Sequence, residues 1–197
     1  MNDLSKLIFR YGAMGSGKTM ALLQVAYNYN ERNMNVIIIK PKLDEKGGIN
    51  IESRIGVSRQ VDYIFPNKIK IRDKMQLDGI HCILVDEAQF MSPHQIDELY
   101  EISKELDIPV ICYGLRTDFQ SKGFPGANRL LEIADEIEEL KTVCKCGKKA
   151  TLNIRLVNGI PVFKGDQVLI DGTDNNVIYD GVCGKCYLKY KKEYGEY

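Results

Sequence analysis

Residues 12–19 limit the possible folds of this chain more strongly than any other segment. They match the pattern G-x-x-x-x-G-K-[ST] and are Gly12, Ala13, Met14, Gly15, Ser16, Gly17, Lys18 and Thr19. Glycines let consecutive backbone N–H groups turn inward around phosphate oxygens, and the N-terminus of a following helix adds positive charge. The segment therefore predicts a nucleoside triphosphate site, in which Lys18 contacts the β- and γ-phosphates and the Thr19 hydroxyl binds Mg²⁺.

The surrounding pattern predicts an α/β fold, because short β-branched runs alternate with helical patterns as in a parallel sheet built from βαβ units. The predicted strands are Lys6–Arg10, Val36–Ile39, Ile80–Val85 and Pro109–Tyr113. A first helix is predicted from Gly17 to about Asn30, with one apolar face formed by Met20, Leu23, Ala26 and Tyr27. A second helix is predicted after a capping box, with its start and inner face given by Ser92, Pro93, Gln95, Ile96, Leu99, Tyr100 and Leu106.

Two adjacent acids follow the predicted strand Ile80–Val85 and supply the second half of the site. A buried strand that ends in aspartate is the pattern that places a carboxylate opposite a phosphate loop, where it holds Mg²⁺. Asp86 is predicted in that role, and Glu87 adds a carboxylate that can orient a nucleophile or accept its proton. These residues do not by themselves decide which molecule is phosphorylated, or whether ATP is simply hydrolysed.

Four of the six cysteines form two close pairs near the C-terminus, Cys144 with Cys146 and Cys183 with Cys186. Four thiolates are the ligand set of a structural tetrahedral Zn²⁺ site, and disulfides are disfavoured in a reducing cytosol. The 36 residues between the pairs have little apolar content, so we expect the metal rather than burial to order them. The other cysteines, Cys82 and Cys112, stand in apolar runs that predict buried thiols.

Composition narrows the class of protein. The chain has 197 residues with 27 Lys+Arg and 27 Asp+Glu, and zero net charge argues against a surface that coats nucleic acid. No apolar stretch approaches the roughly 20 residues of a membrane span, and Met1–Phe9 is too short for a secretory signal, so we expect a cytoplasmic protein. Neither a membrane nor a nucleic-acid partner is expected.

The character of the sequence changes after about residue 140, and we place a domain boundary at that point. Further along, Asn158-Gly159 predicts a two-residue hairpin turn. The prediction is an ATP-binding α/β domain over residues 1–141 and a zinc-binding domain over residues 142–197.

Taken in order, these motifs resemble those of the type II thymidine kinases. The matching blocks are Gly12–Thr19, Asp86–Phe90, Tyr113–Gln120 and the two cysteine pairs, and the resemblance runs from about Lys6 to Tyr187. It implies a P-loop NTPase core of the RecA-like type, followed by a small zinc-binding domain whose long loop (the lasso) closes over the nucleoside. It also implies transfer of the γ-phosphoryl group of ATP to the 5′-hydroxyl of thymidine, giving dTMP and ADP.

The resemblance assigns roles to individual residues. Glu87 corresponds to the catalytic base, and Asp86 and Thr19 correspond to the Mg²⁺ site. The positions that correspond to ATP contacts are Gly12–Thr19, Asp86, Glu87, Ala88 and Gln89. The positions that correspond to the nucleoside pocket are Met14, Phe90, Leu115, Phe119, Phe124 and, in or beside the lasso, Val168, Ile170, Asp171, Gly172 and Tyr179. The family also implies a homotetramer and feedback inhibition by dTTP.

The chain departs from the family pattern at several points, which include the closer spacing of the first cysteine pair, a longer loop before Tyr179, and Asp171 where a glycine is common. Asn153 stands where a threonine often faces the base. A family arginine near the phosphates is missing, and either Lys46 or Arg54 could supply that charge, although solvated loop cations are the simpler interpretation.

Two other functions stay open at this stage. A strand-exchange or helicase-type ATPase of the same core would need an arginine finger and a DNA-binding face. A non-catalytic zinc-ribbon module would need neither an intact phosphate loop nor Glu87. Nucleoside-dependent release of ADP distinguishes the three hypotheses.

Overall fold

A computed structural model describes residues 5–42, 48–167 and 176–195 of the chain. Up to residue 140 its strands are β1 Leu7–Tyr11, β2 Asn35–Pro41, β3 Asn50–Glu52, β4 Ser58–Gln60, β5 Tyr63–Phe65, β6 Ile80–Val85, β7 Val110–Gly114 and β8 Glu136–Glu139. Its helices there are α1 Lys18–Asn30, α2 Pro93–Glu105 and α3 Pro125–Ile133, with 3₁₀ turns at Arg72–Lys74 and Ala88–Phe90.

Six of these strands form one parallel sheet in the order β5-β2-β6-β7-β1-β8, while β3 and β4 pair as a separate antiparallel ladder. The sheet and its helices confirm the predicted α/β fold. The strand that leads into the phosphate loop, β1, is separated from the strand that ends at the two acids, β6, by the single strand β7. The carboxyl ends of all three strands lie at the same edge of the sheet, which is where the site forms.

The sheet separates two apolar clusters. Leu22 and Ala26 of α1 pack against Ile38 and Leu84 on one face. The other face packs against α2 and α3. The thiols of Cys82 and Cys112 are fully buried on opposite faces, as predicted. In the part of the chain that the structure describes, no helix is both long and apolar enough to span a bilayer.

Helix α2 begins as the sequence predicts. Ser92 Oγ accepts a hydrogen bond from the Gln95 N–H, the Gln95 side chain accepts one from the Ser92 N–H, and Pro93 is the first helical residue.

Two predictions about helix faces are wrong, because Tyr27 is 58% exposed and Leu106 is 43% exposed. Leu106 is the C-cap, beyond the regular turns, and Tyr27 is rotated about 100° from Ala26 and points away from the sheet.

The C-terminal part of the chain builds a second, smaller layer. Its elements are β9 Thr142–Val143, β10 Lys149–Ala150, β11 Leu152–Val157, β12 Ile160–Val162, β13 Val177–Val182 and α4 Gly184–Tyr194. β11 pairs with both β12 and β13 in an antiparallel sheet. Asn158 (φ 51°) and Gly159 (φ 79°) form the predicted hairpin turn, since both central residues need positive φ.

The expectation that the segment between the cysteine pairs lacks burial is wrong at its two ends. Ile154 and Val182 are buried in a cluster with Tyr187 and with Ala13 of the phosphate loop. Strand alternation turns these residues inward although the segment as a whole is polar. This cluster crosses residue 141, and the division into two domains there stays a prediction.

Candidate nucleotide-binding site

The phosphate loop joins β1 to α1, and its backbone has the shape that the motif requires. Gly15 (φ 79°) and Gly17 (φ 76°) adopt the left-handed conformation, which residues with a Cβ rarely adopt. Their N–H groups donate to no acceptor within the described part of the chain. Gly17 is the N-cap of α1. The loop therefore presents free donors at the positive end of a helix, as anion binding requires.

Lys18 is the one buried ammonium group that the loop surrounds. Its Nζ donates to the carbonyl oxygens of Gly12 and Ala13, both at 3.1 Å, and the residue is only 9% exposed. Burial lowers the pKa of Lys18, whereas the negative charges of Glu87 and Asp86 act in the opposite direction. A dehydrated ammonium group held by neutral carbonyls can exchange them for phosphate oxygens at a net gain.

Asp86 and Glu87 follow β6 directly and differ in their surroundings. Asp86 is 5% exposed, and one of its carboxylate oxygens accepts a hydrogen bond from the Glu87 N–H at 3.1 Å. Burial, together with the nearby charge of Glu87, raises the pKa of Asp86 to about 7. Glu87 itself has φ 51° and ψ 36°, an unfavourable conformation for a residue with a side chain.

Gln89 fixes the carboxylate of Glu87. The Gln89 side-chain amide donates to Glu87 Oε2, and its amide oxygen accepts a hydrogen bond from the Leu115 N–H at 3.0 Å. Gln89 is fully buried, so both of its polar ends must be satisfied inside the protein. Glu87 is thereby tied to the end of β7 as well as to β6.

One cavity of about 410 Å³ brings the predicted phosphate residues and Glu87 together. Its lining includes Lys18 and Thr19 from α1, Glu87 from the end of β6, and Arg54 from the loop after β3. Arg54 Nη1 lies 3.4 Å from where a Cβ on Gly15 would stand. Arg54 is exposed to solvent, so its interpretation as a solvated loop cation and its alternative role beside the phosphates both stay predictions; Lys46 lies outside the described residues.

A second cavity, of about 460 Å³, has Gln89 in its lining. Phe90 and Phe124 line it and meet edge to face, with ring centroids 5.2 Å apart. Leu115 and Phe119 are buried and do not line this cavity, and Met14 lines the phosphate cavity instead. The predicted lasso contacts Val168, Ile170, Asp171 and Gly172 lie outside the described residues.

The four cysteines of the two pairs come together, with their sulfur atoms all within 4.8 Å of one another. A tetrahedral zinc site with Zn–S bonds of about 2.3 Å has sulfur atoms about 3.8 Å apart, so the cluster fits this geometry. The Cys186 N–H donates to Cys183 Sγ, which lowers the pKa of Cys183 to about 7. Hydrogen bonds with Cys146 and Cys183 raise the pKa of Cys186 in turn, so the cysteines of the cluster share their ionisation, and the thiolate is the form that binds a metal.

The chain matches the family model described as "Thymidine kinase" over residues 5–187. The chain belongs to the thymidine kinase family. The thymidine kinase of Haemophilus influenzae is 41% identical over 199 residues, which cover 98% of this chain and 100% of that protein. The thymidine kinase of Legionella pneumophila is 44% identical over 196 residues, covering 96% and 90%.

Among solved structures, the Pif1 helicase from Candida albicans is similar to this chain with a TM-score of 0.40 and 14% identity. The alignment covers 69% of this chain and 36% of the helicase. A TM-score this low supports no conclusion about either fold or activity.

Sequence reasoning missed one buried residue of this thymidine kinase family member, Arg155 of β11. Its Nε donates to the Tyr179 hydroxyl at 2.9 Å, and its Nη2 donates to the carbonyl oxygens of Asp166 (2.7 Å) and Gln167 (3.2 Å). Asn153 and Arg155 lie on the same face of β11 two residues apart, but Ile154 on the opposite face is buried as well. The sequence alone therefore does not show that the face with Asn153 and Arg155 holds a polar site.

Proposed function

We propose that this chain transfers the γ-phosphoryl group of ATP to the 5′-hydroxyl of thymidine, giving dTMP and ADP for nucleotide salvage. The single observation that supports the proposal best is that Glu87 and the phosphate loop line one cavity. The second cavity, lined by Gln89, Phe90 and Phe124, offers apolar walls for a nucleoside base, and its Gln89 donates a hydrogen bond to Glu87 of the first cavity. Membership of the thymidine kinase family supports the choice of substrate.

Glu87 acts as the base in this proposal. Its carboxylate accepts the proton of the attacking 5′-hydroxyl as the oxygen–phosphorus bond forms and the bond to the β-phosphate oxygen breaks. The transfer is largely dissociative, so the proton leaves late and a carboxylate of ordinary basicity suffices. Gln89 keeps the carboxylate oriented, and Lys18 with the loop N–H groups stabilises the charge on the phosphates.

The proposed Mg²⁺ site uses the Thr19 hydroxyl and the Asp86 carboxylate. Both are hard oxygen ligands, and a carboxylate with its pKa raised by burial regains its charge beside a cation. Bound Mg²⁺ would neutralise phosphate charge. The proposed Zn²⁺ ligands are Cys144, Cys146, Cys183 and Cys186, and this ion would hold the C-terminal segment in place.

Base selection follows from hydrogen-bonding patterns. Thymine presents an N3–H donor beside an O4 acceptor, so one backbone carbonyl and one backbone amide of the lasso suffice to bind it. Cytosine presents the inverted pattern and would leave both backbone groups unpaired, at a cost of about 1–3 kcal/mol each. The residues proposed for this contact are Val168, Ile170, Asp171 and Gly172, with Tyr179 beside the sugar.

Several finer features complete the proposal. They are a cytoplasmic location, a homotetramer, feedback inhibition by dTTP, the absence of a nucleic-acid partner, and a division into domains over residues 1–141 and 142–197. Family membership motivates the homotetramer and the inhibitor.

The test is ADP production from Mg²⁺-ATP with thymidine, with deoxycytidine, with single-stranded DNA and with no addition. We expect turnover that depends on thymidine and is silent with deoxycytidine. ADP release that responds only to DNA would favour a helicase-type ATPase instead. No release in any arm would favour the non-catalytic zinc module.

A further inference from the structure

Asn153 of β11 joins the C-terminal segment to the phosphate loop. Its side-chain oxygen accepts a hydrogen bond from the Met14 N–H at 2.8 Å, and its side-chain nitrogen donates to the Thr117 carbonyl at 2.7 Å. The residue is buried, so both bonds are made away from water. Met14 lies inside the loop, and Thr117 lies in the segment after β7, so one amide group bridges three parts of the chain.

Two further contacts hold the same stretch of the loop. The Thr142 hydroxyl donates to the Gly15 carbonyl at 3.2 Å. Gly181 of β13 packs so closely on the loop that a Cβ there would stand 2.7 Å from the Met14 carbonyl oxygen. The peptide groups of residues 14 and 15 are thus fixed by three residues that all follow residue 141.

This arrangement affects ATP binding because the Met14 N–H donates to Asn153 and does not point into the loop. With that amide held, the following N–H groups of Gly15 and Gly17 stay unpaired and available. A loop released from Asn153 can turn its peptide groups and lose the arrangement in which several N–H groups converge on one anion. Preorganised donors bind more tightly because they need not be reordered when the ligand arrives.

We propose that Asn153 and Thr142 are positioning residues for ATP, through which the cysteine-bearing C-terminal segment sets the shape of the phosphate loop. The proposal rests on the proposed role of residues 12–19 in binding ATP. It gives the C-terminal segment a second task besides covering the nucleoside. It also explains why a residue on the buried face of β11 can be an asparagine, since both of its polar ends are used.

The experiment measures direct binding of a non-hydrolysable ATP analogue, with Mg²⁺ and without thymidine, to the full chain. The variants are Asn153→Leu, which removes both hydrogen bonds, and Thr142→Val, which removes only the bond to Gly15. Ile154→Val is the matched control, because it trims a buried neighbour on β11 without removing any hydrogen bond to the loop. Thermal unfolding is recorded for each protein.

We expect the analogue Kd to rise about tenfold in Asn153→Leu and a few-fold in Thr142→Val, with no more than a twofold change in Ile154→Val. The proposal is overturned if both test variants bind the analogue within twofold of the control. It is also overturned if only the thymidine KM changes. If Asn153→Leu does not fold, the analogue Kd of Thr142→Val decides the test. Because no phosphoryl transfer is needed, a chain that bound the analogue but left thymidine unphosphorylated would refute the proposed function alone.

Discussion

The guanidinium of Arg155 lies over the ring of Phe119, with its central carbon 3.7 Å from the ring centroid. Arg155 is 1% exposed, and no carboxylate of the described residues forms an ion pair with it. Its charge is balanced by the aromatic face and by the carbonyl oxygens of Asp166 and Gln167. The residue therefore fixes the chain at the edge of the proposed lasso, at residues 166 and 167, against the buried ring of Phe119.

We predict that Arg155→Met weakens thymidine binding far more than ATP binding. Methionine fills much of the volume but donates no hydrogen bond, so the carbonyls at residues 166 and 167 and the Tyr179 hydroxyl lose their common partner. The expected result is a thymidine KM raised about tenfold, with a loss of unfolding free energy of about 1–3 kcal/mol. Steady-state kinetics with each substrate varied in turn measures the KM for thymidine and the KM for ATP separately.

Arg129→Met is the matched control. Unlike Arg155, Arg129 forms ion pairs, with Asp97 and Glu132, but these are partly exposed and contribute little. Equal losses in the two variants, or an Arg155→Met thymidine KM equal to that of the unchanged chain, would contradict the positioning of the loop by Arg155.

Glu87→Gln should abolish transfer while ATP still binds. The glutamine side chain can still accept a hydrogen bond from Gln89, so the geometry is retained while the base is lost. We expect kcat to fall by about 10²–10⁴-fold. The affinity for an ATP analogue should be unchanged or slightly higher, because a negative charge near the phosphates is removed. Glu132→Gln, on the exposed side of α3, serves as the control, and near-normal turnover in Glu87→Gln would remove Glu87 from the role of base.

Gly126→Ala tests the close packing of α3 against the 3₁₀ turn that directly follows Glu87. A Cβ on Gly126 would stand 2.5 Å from the Ala88 carbonyl oxygen and 2.6 Å from that of Met91. Alanine normally stabilises a helix by up to about 1 kcal/mol relative to glycine, so a net loss of stability would have to come from this contact. We expect the 3₁₀ turn to move, with lower kcat and a lower melting temperature.

Gly184→Ala provides the comparison, because Gly184 also lies in a helix and a Cβ there would have no neighbour within 4 Å. This variant should keep its kcat and melt at the same or a slightly higher temperature. If Gly126→Ala behaved in the same way, the close approach of α3 to the turn would have no bearing on the site.

The strands of the sheet that the sequence predicts are those with continuous apolar runs, such as β2 and β6. The edge strand β8 could not be predicted, since its sequence Glu136-Ile137-Glu138-Glu139 has the composition of a solvated loop. It pairs with β1, and its acids are compensated across the strands: Glu138 by Arg10 and Glu136 by Lys6. Cross-strand compensation depends on tertiary pairing and leaves no local signal.

Of the candidate site, too, only one part could be predicted from the sequence. The phosphate loop and the acids after β6 are contiguous in sequence, and their spacing alone carries the chemistry. Asn153 and Arg155 act on residues that lie 11 to 139 positions away in the chain, so only the fold shows what they contact. A buried arginine is also rare enough that a strand pattern containing one suggests exposure rather than a site.

Cys183→Ser should remove zinc and loosen the segment that covers the nucleoside. Cys183 has two tasks, since its sulfur belongs to the cysteine cluster and also accepts the Cys186 N–H at the start of α4. Serine can take over the second task as an N-cap but is a poor zinc ligand, so the substitution isolates the metal. We expect zinc content to fall from about one per chain to well below it, with a thymidine KM raised tenfold or more. Cys82→Ala, in the core and outside the cluster, should keep its zinc; full zinc content and full activity in Cys183→Ser would show that zinc binding does not need Cys183 and would contradict the proposed ligand set.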